Sequence, residues 1–343
     1  MSLRTRYAVG SLLGAVLVLV LVATVRPAGP LPRLEGPVLA GPTHLHLVVS
    51  AAPPYIYDVD ANAIRAVSTA SGPLDSWVRP SANGAFVARY GCCATTTVAF
   101  RIHEDGSVQR LTGGSSLAPA SDSSATWVLR RASPGRCRLA LVPSARPPVA
   151  APCRPLLGAG EAGVLMWTST DQVLVDTRTG RVRARATRIV PLHRDLVLEQ
   201  TVEWSLEQAR ISLVDLATRT RRRLRWPSIL RGLDEVVAEP HGSLVAVGFA
   251  DPAYPGPAQA SDVWILDTRT GRYTHLPGFP AQVRLKFSGI AWTSDDRLVL
   301  LLEGGGRTVL AVWRRGSHTL PLRPVKLPAH TGSSDTFVPL VGP

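Results

Sequence analysis

The sequence predicts an all-β fold, a seven-bladed β-propeller of four-stranded blades, preceded by one N-terminal transmembrane helix. Three observations predict it: a recurring hairpin signature, turn signals spaced by about 42 residues on average, and one long uncharged run near the N-terminus. The 343 residues could fill two average domains, but repeat folds of this length often form a single domain.

The hairpin signature is clearest in residues 263–273, where an apolar, β-prone stretch is followed by Asp-Thr-Arg-Thr-Gly. Asp267 can accept a backbone N–H two residues later and so close a turn. Gly271 supplies the left-handed conformation that ends a short hairpin loop. Further copies lie at residues 55–62, 173–182 and 211–219. Several copies in one chain indicate a repeat architecture.

Turn signals between the first two strands of each repeat number seven, and they predict seven blades. They are Gly41-Pro42, Asn83-Gly84, Ser123-Ser124, Ala162-Gly163, Arg194-Asp195, His241-Gly242 and Asp295-Asp296. We expect strands at 74–78, 234–238 and 289–292 to line the axis, and the stretch at 336–341 to close the ring by joining blade 1. Two β-sandwiches would also give short strands with regular turns. The repeated aspartate turn favours the propeller.

An uncharged run at residues 8–25 is long enough to span a membrane, since 18 helical residues rise about 27 Å. We interpret it as a transmembrane signal anchor. A long cleaved signal peptide remains the alternative. The predicted organisation is a short cytoplasmic tail at 1–7, the anchor at 8–25, a Pro-rich linker at 26–42 and the propeller at 43–343. The protein should then be single-pass in the cell membrane, with the propeller outside the cytoplasm.

The basic charge of the chain comes almost wholly from arginine: Lys286 and Lys326 are the only lysines, and the net charge is +13. The arginines are dispersed, so we do not predict a nucleic-acid partner. One dense run occupies residues 219–225. We interpret it as a solvated outer strand, with a surface for anionic lipid or wall polymer as the alternative.

Residues around the turns resemble known propeller repeats. Residues 292–296, Trp-Thr-Ser-Asp-Asp, resemble the W-x-P-D-G turn of TolB-like repeats, with Ser294 in place of proline, and residues 240–242 resemble its P-D-G. The D-x-x-T-G units resemble quinoprotein repeats but lack their following tryptophan. The chain is therefore similar, over about 40–340, to TolB-like and quinoprotein-like propellers of bacterial envelopes, which belong to a WD-repeat-like superfamily. The resemblance implies a fold. It transfers no ligand residue.

The irregular loops define the predicted binding face, because the recognisable turns all lie on the opposite face of the disc. A long loop at 251–261 and a neighbouring stretch at 204–208 combine aromatic rings with carboxylates, which can bind sugars, amines or peptides. A disordered loop beside a packed tryptophan is the alternative. The channel residues Asp75, Arg79, Asp234 and Glu235 could line the axis. The candidate ligand-binding residues are Trp204, Glu207, Asp234, Asp251 and Tyr254.

Four cysteines fit an exported, oxidised protein. Cys137 and Cys153 lie symmetrically about residue 145, as a hairpin pair would, and we predict that they form a disulfide. Cys92 and Cys93 would then either form a vicinal disulfide with each other or stay reduced. A bond from one of them to Cys137 is the competing pairing. No C-x-x-C spacing suggests zinc, and we predict no metal, cofactor or catalytic residue.

The function predicted from these features is a membrane-anchored, extracytoplasmic binding or scaffolding module. Its expected partners are the membrane, through one helix, and an envelope protein or cell-wall polymer. The alternative is a propeller enzyme, a lyase or hydrolase that uses the channel or the loop face. A group of histidines with carboxylates at one channel mouth would favour the enzyme.

Overall fold

The structure, a computed structural model, describes residues 34–51, 53–67, 75–81, 84–90, 97–103, 105–120, 125–202, 209–230, 232–250, 260–280, 283–284, 286–304, 307–328 and 337–341. No helix within these residues is long and apolar enough to cross a membrane. The predicted helix at 8–25 lies outside them.

The strands of the first half of the chain form the following series. They are β1 (Leu45–Val49), β2 (Tyr55–Asp58), β3 (Ala63–Ala66), β4 (Asp75–Ser81), β5 (Gly84–Tyr90), β6 (Thr97–Ile102), β7 (Val108–Gly114), β8 (Ser116–Pro119), β9 (Thr126–Ser133), β10 (Arg136–Val142), β11 (Val149–Ala151), β12 (Leu156–Gly160), β13 (Gly163–Trp167), β14 (Gln172–Val175) and β15 (Val182–Ala186).

The second half continues in the same way. It contains β16 (Arg188–Pro191), β17 (Leu196–Thr201), β18 (Arg210–Asp215), β19 (Thr220–Leu224), β20 (Gly232–Ala238), β21 (Leu244–Ala250), β22 (Ala260–Asp267), β23 (Arg272–His275), β24 (Val283–Arg284), β25 (Lys286–Trp292), β26 (Arg297–Gly304), β27 (Arg307–Arg314), β28 (Leu322–Val325) and β29 (Phe337–Val341).

These strands form seven antiparallel sheets, which are the seven blades. From axis to rim their orders are β29-β1-β2-β3, β4-β5-β6-β7, β8-β9-β10-β11, β12-β13-β14-β15, β16-β17-β18-β19, β20-β21-β22-β23 and β25-β26-β27-β28. The short β24 pairs with β22 in blade 6. The prediction of seven four-stranded blades is confirmed, and the two-sandwich alternative is wrong.

The ring closes between the two ends of the propeller. The last strand, β29, lies antiparallel to β1, with Val341 opposite Leu45 and Phe337 opposite Val49. Blade 1 thus takes its innermost strand from the end of the chain and its other three from the beginning. The predicted closing strand is confirmed: it follows blade 7 in the chain and is hydrogen-bonded to β1 within blade 1.

Among the described residues the hydrophobic core forms seven clusters, one between each pair of neighbouring blades. In β26, Leu298, Leu300 and Leu302 face blade 6, whereas Val299 and Leu301 face blade 1. Middle strands of this kind are apolar on both faces because a blade covers each face, so alternation gives way to a continuous apolar run. This packing holds the inner strands rigidly around the axis.

The aspartate turns form as predicted. Asp267 Oδ1 accepts the Arg269 N–H at 2.9 Å, and its carbonyl accepts the Gly271 N–H at 2.7 Å. Gly271 has φ +68°. Asp58, Asp176 and Asp215 likewise accept backbone N–H groups two and three residues later. These turns all lie between the two outer strands of their blades.

Residues 34–42 lie against the outer edge of blade 7. The Leu39 N–H donates to the Leu322 carbonyl, and the Leu322 N–H donates to the Pro37 carbonyl, both at 2.8 Å. Val38 forms a parallel bridge with Leu322. This part of the predicted linker therefore extends the blade 7 sheet at β28.

The predicted disulfide between Cys137 and Cys153 is present, with the two Cα atoms 5.1 Å apart. Cys137 lies on β10 and Cys153 follows β11, so the bond clips the outer hairpin of blade 3. The competing bond from Cys137 to Cys92 or Cys93 is wrong, because Cys137 is already bonded. Cys92 and Cys93 themselves lie outside the described residues.

Candidate functional site: the central channel

The inner strand of blade 6 carries two consecutive carboxylates, Asp234 and Glu235, at a β-bulge. The register of β20 shifts between Leu233 and Val236, so both carboxylates stand opposite the single residue Gly248. A Cβ atom at Gly248 would lie 3.2 Å from the Ile290 side chain and 3.5 Å from the Glu235 nitrogen. Glycine permits this close approach, and bulges of this kind re-aim side chains near functional sites.

Two arginines from other blades face the same channel. Arg188 on β16 of blade 5 donates from its guanidinium to the carbonyls of Leu233 and Asp234. Arg79 on β4 of blade 2 donates from its guanidinium to the carbonyl of the preceding residue, Val78, at 2.9 Å. Protein surrounds the Arg79 side chain on most sides, yet the residue stays exposed to solvent, so water reaches this part of the channel.

Glu235 is held by blade 7 as well as by its own blade. Its Oε2 accepts the backbone N–H of Ile290 on β25 at 2.5 Å. Burial and, to a smaller extent, the neighbouring Asp234 raise the pKa of Glu235, while the Ile290 N–H, Arg79 and Arg188 oppose the rise, so that the pKa is about 7. Burial also raises the pKa of Asp234, and Arg188 opposes it. The pair can therefore hold or release a proton near neutral pH.

The arginines respond to the same environment in the opposite direction. Burial lowers the pKa of both Arg79 and Arg188, and the carboxylates raise it again. A guanidinium stays protonated in proteins even after such a change. The channel floor thus presents two fixed positive charges and two carboxyl groups of variable charge.

A cavity of about 640 Å³ lies toward the face that carries the turns between the first and second strands of each blade, and Arg79 is the member of this charged group that lines it. Strands or turns of all seven blades contribute to its wall. The polar and charged lining residues are Arg79, Ser81, Glu161, His193, Glu239, His241 and Ser294. The volume lies within the range of small-molecule sites in proteins.

Carboxylates at the mouth already have protein partners. Glu239 pairs with Arg315 of blade 7 and accepts the Leu244 N–H at 3.3 Å. Glu161 accepts the Arg194 N–H at 2.5 Å. By contrast, the buried Nε2 of His193 has no hydrogen-bond partner among the described residues. The mouth therefore keeps one unsatisfied polar atom beside carboxylates that serve the structure.

The predicted binding residues are only partly described. Asp234 lies beside Glu235 on the inner strand β20, and its role in binding stays a prediction. Asp75 lies on β4, and its side chain is outside the described part. The remaining candidates, Trp204, Glu207, Asp251 and Tyr254, also lie outside the described residues. The predicted loop-face site stays a prediction.

Sequence reasoning missed Arg188, His193 and Glu161. All three lie on the inner strand of blade 5 or on the first turns of blades 4 and 5. Counting back from the Arg194-Asp195 turn to the preceding polar residues would have placed Arg188 on an inner strand. Nothing in the pattern predicts that it contacts blade 6.

The channel and the other described ranges contain no candidate metal site. In them, no three or more His, Cys, Asp or Glu side chains gather closely enough to hold a metal ion. His193 and His241 share the cavity wall with Glu161 and Glu239 but form no such group.

No protein-family model and no curated protein matches the chain. Similar solved structures include TolB from Acinetobacter baumannii, with 12% identity over 91% of this chain and 68% of that chain and a TM-score of 0.46. AztD from Citrobacter koseri has 9% identity over 86% of this chain and 98% of that chain, with a TM-score of 0.47. A quinoprotein alcohol dehydrogenase-like protein from Bacteroides thetaiotaomicron has 8% identity over 81% of this chain and 75% of that chain, with a TM-score of 0.49.

The predicted resemblance to TolB-like and quinoprotein-like propellers is confirmed among these structures. The fold itself is established by the strand order of the seven sheets. Likeness at this level of identity carries no argument about a ligand or an activity. The argument about function therefore starts from the channel of this chain.

Proposed function

We propose that this protein is a binding module of the cell envelope, tethered to the cell membrane by residues 8–25 with its propeller outside the cytoplasm. Its ligand enters the central channel from the face that carries the turns between the first and second strands of each blade. The single observation that carries the binding site is the cavity of about 640 Å³ on the axis of the propeller, which all seven blades line and which Arg79 enters. Concave, preformed cavities with a few convergent polar groups are the usual form of ligand sites.

The mixed charges of the channel favour a small polar ligand, or the end of a peptide, that carries both donors and acceptors. Arg79 can donate to an anionic group, and the His193 Nε2 at the mouth can form a hydrogen bond with a hydroxyl group of the ligand. Rigid inner strands hold these groups without a ligand, which lowers the ordering cost of binding.

Membrane attachment is supported by the uncharged run at 8–25 and by the disulfide, which suits an oxidising compartment. The test is to add protease to intact, wall-stripped cells and follow the propeller with an antibody. We expect the propeller to be digested while a cytoplasmic control protein survives. Protection of the propeller until the cells are lysed would contradict this topology.

The binding site is tested with a variant that narrows the channel mouth. Gly158 lines the cavity, and a Cβ placed there meets no atom within 4 Å, so the Gly158→Phe side chain can leave the backbone without a clash at its Cβ and narrow the cavity. The matched control is Ala145→Phe, since Ala145 is exposed on blade 3 and does not line the cavity.

Each variant is purified from solubilised membranes, and the small molecules and peptides that co-purify are compared by mass spectrometry. We expect a ligand present with the unmodified protein and with Ala145→Phe to be absent with Gly158→Phe. A ligand retained equally by all three proteins would place the site elsewhere, on the loop face.

An enzyme remains the second candidate because of one observation, the near-neutral pKa of Glu235 in a water-accessible channel. A carboxyl group of this kind could act as a general acid or base in a lyase or hydrolase. Incubation with cell-wall saccharide fractions would reveal released products. Turnover that is lost in Glu235→Gln, a substitution that keeps the shape of the side chain, would favour the enzyme over the binding module.

A further inference from the structure

A long stretch of the chain around blade 3 contains basic residues and no acidic ones. From residue 123 to residue 160 the sequence has no aspartate or glutamate. The stretch includes most of blade 3 and the link to blade 4, and all of its arginines are exposed. They are Arg130, Arg131, Arg136, Arg138, Arg146 and Arg154. A surface of this composition attracts anions.

Four of these arginines lie on one projecting hairpin, formed by the ends of β9 and β10. The inner strand β8 pairs with β9 only as far as Leu129, and the outer strand β11 pairs with β10 only as far as Cys137. Residues 130–136 therefore extend past both flanking strands, by about 10 Å at the usual rise of a strand. A Cβ atom at Gly135, at the tip, would meet nothing within 4 Å. We call residues 130–138 the blade 3 ribbon.

The strand register sets three arginines of the ribbon side by side. Arg130 and Arg138 are directly opposite each other in the ladder, so their side chains leave the same face of the ribbon. Arg136 lies two residues before Arg138 on β10 and therefore belongs to that face as well. Further along the same face, Val128 and Val142 pack against blade 2. The three exposed guanidinium groups thus start from neighbouring positions, beyond the part of the face that blade 2 covers.

The charges of this face have no counterpart within the described protein. Arg130, Arg136 and Arg138 make no side-chain hydrogen bond or ion pair with any residue that the structure describes. On the neighbouring blade 4, the Asp171 carboxylate pairs with Arg185 of its own blade at 4.0 Å. Like charges directly opposite each other in a sheet are destabilising. A bound anion would relieve this repulsion.

The disulfide holds the base of the ribbon in place. Cys137 lies between Arg136 and Arg138, and its bond to Cys153 ties β10 to the chain that follows β11. The bond also brings Arg154, the residue after Cys153, to the same end of the blade. Because the hairpin and the bond fix the backbone of the ribbon without a ligand, less conformational entropy is lost on binding.

The denser arginine run at 219–225 is less available to a partner. It contains the outer strand β19, and its arginines are exposed, as interpreted from the sequence. Arg221 pairs with Glu199 at 2.6 Å, and Arg222 donates to the Thr268 carbonyl at 2.6 Å. Two side chains of that run are therefore engaged by protein groups, whereas the three arginines on the ribbon face are not.

The ribbon projects from the face opposite to the one where the chain leaves the propeller toward the anchor. The ribbon lies at the connection between the second and third strands of blade 3. Residues 34–38 lie along the start of β28, directly after the connection between the two outer strands of blade 7, which belongs to the other face. With the proposed anchor at 8–25, on which this orientation rests, the ribbon points away from the membrane.

We propose that the blade 3 ribbon docks on an extended anionic polymer outside the membrane, in which phosphodiesters join short polyol units, as in a cell-wall polymer. Guanidinium groups match phosphate oxygens in pairs. Residues two apart on a strand are separated by about 7 Å, so Arg136 and Arg138 can contact successive phosphates of one chain. The tip has no large apolar side chain that could enter a bilayer, since it consists of Ala132, Ser133, Pro134 and Gly135.

The experiment uses the purified full-length protein and a synthetic glycerol-phosphate oligomer labelled for fluorescence anisotropy. The ribbon variant carries Arg130→Gln, Arg136→Gln and Arg138→Gln. The control variant loses the same charge at exposed arginines of blades 2, 4 and 7, through Arg110→Gln, Arg178→Gln and Arg307→Gln. We expect the ribbon variant to bind about tenfold or more weakly than the unmodified protein, and the control variant within about threefold of it. Equal weakening in both variants, or no saturable binding by the unmodified protein, would overturn the proposal.

Thermal unfolding separates binding from a role in folding. Loss of a like-charge pair should leave the melting temperature of the ribbon variant unchanged or raise it, whereas arginines that serve the fold would lower it. The oligomer should raise the melting temperature of the unmodified protein and of the control variant, but not that of the ribbon variant.

A second variant keeps the ribbon folded by design. Arg130→Glu gives Arg138 an oppositely charged partner across the ladder, and Arg110→Glu is its control with the same change of charge. Arg130→Glu should also bind the oligomer about tenfold or more weakly, and Arg110→Glu within about threefold of the unmodified protein. Unweakened binding by Arg130→Glu would overturn the proposal.

Two other probes separate the rival partners. Vesicles of phosphatidylglycerol carry glycerol phosphate in a bilayer, and single-stranded DNA carries phosphodiesters with bases. Ribbon-dependent binding that is tighter for either probe than for the oligomer, at equal phosphate concentration, would overturn the proposal in favour of a membrane or a nucleic acid. Because all these measurements use the purified protein, their outcome is independent of the protease test of topology and of the Gly158→Phe test of the channel.

Discussion

Asp60 and Arg323 form an ion pair across the closure of the ring, with Asp60 Oδ1 2.7 Å from Arg323 Nη1. Asp60 follows β2 of blade 1, and Arg323 lies on β28 of blade 7. The same carboxylate accepts the N–H groups of Thr43 and His44 at 2.7–2.9 Å. Arg323 also donates to the Gly41 carbonyl at 2.6 Å. These two side chains thus connect blade 1 to blade 7, and both also bind the backbone of residues 41–44, where the chain enters the propeller.

Removal of this carboxylate should destabilise the propeller in a pH-dependent way. Burial raises the pKa of Asp60, but the Thr43 and His44 N–H groups and Arg323 lower it more strongly, to about 2. The stabilisation is therefore complete above the unfolded pKa near 3.8 and disappears as the pH falls toward 2. Because Asp60 is partly exposed, we expect Asp60→Asn to lower the free energy of unfolding by only about 1 kcal/mol at pH 7.

Chemical denaturation at about pH 7, pH 3 and pH 2 measures this effect. Asp296→Asn is the control. Asp296 is an exposed turn residue of blade 7, and its side chain has no partner among the described residues. Asparagine tolerates its positive φ. A difference between Asp60→Asn and the unmodified protein that stays constant over this pH range would contradict the ion-pair role.

Gly271→Val should lower the free energy of unfolding by about 1–3 kcal/mol. The residue has φ +68°, which a β-branched side chain adopts only with strain. A Cβ atom would also lie 2.7 Å from the Arg222 guanidinium carbon of blade 5, so this arginine would have to move. Thermal or chemical unfolding of the purified domain measures the loss.

Gly316→Val separates these two causes. Gly316 has φ +84°, and a Cβ atom there would meet nothing within 4 Å. We expect Gly316→Val to cost less than Gly271→Val, and the excess to vanish when Arg222→Ala is present in both backgrounds. An unchanged melting temperature in Gly271→Val would show that the turn tolerates a side chain.

Loss of the disulfide should lower the free energy of unfolding by up to about 3 kcal/mol, the chain-entropy value for a loop of this size. The bonded cysteines are 16 residues apart. The enclosed segment contains Pro143, Pro147, Pro148 and Pro152, which already restrict the unfolded chain, so we expect a smaller value.

The measurement compares unfolding of the oxidised and reduced protein, with the double variant Cys137→Ser and Cys153→Ser as control. The reductant should leave the double variant unchanged. Proteolysis without reductant should release one peptide that joins Cys137 to Cys153. A peptide that joins Cys137 to Cys92 or Cys93 would contradict the pairing.

Glu235 should make the protein less stable as the pH rises toward neutrality. Its folded pKa is raised to about 7, whereas the unfolded value is near 4.5, so the folded state binds more protons between these two values. Stability is therefore lost as the pH increases through this window. Because part of the side chain faces the water-accessible channel, we expect a loss on the order of 1–2 kcal/mol.

Glu235→Gln keeps the side-chain shape and cannot ionise, so this part of the pH dependence should disappear. Denaturation at about pH 4.5 and pH 7.5 in both proteins tests it, with Glu35→Gln, outside the channel, as control. Identical pH profiles for the unmodified protein and Glu235→Gln would show that Glu235 is ionised throughout.

The sequence alone determined the repeat and its turns, because these depend on few residues that are adjacent in the chain. The carboxylate of Asp267 reaches an N–H two residues away, and Gly271 adopts its positive φ without a tertiary partner. The Cys137–Cys153 bond was also predictable, since it spans a single hairpin. The spacing of the turns then predicts the number of blades and the need for a closing strand.

Only the tertiary structure decided which charges meet. Arg188 contacts the Asp234 carbonyl over 46 residues, and Arg323 reaches Asp60 over 263. Such partners are brought together by the packing of whole blades and by closure of the ring, and the packing of blade 6 on blade 7 places Glu235 on the Ile290 N–H. A turn is set by local backbone torsion and nearby hydrogen bonds, whereas the channel arises from long-range packing that leaves no periodic trace in the chain.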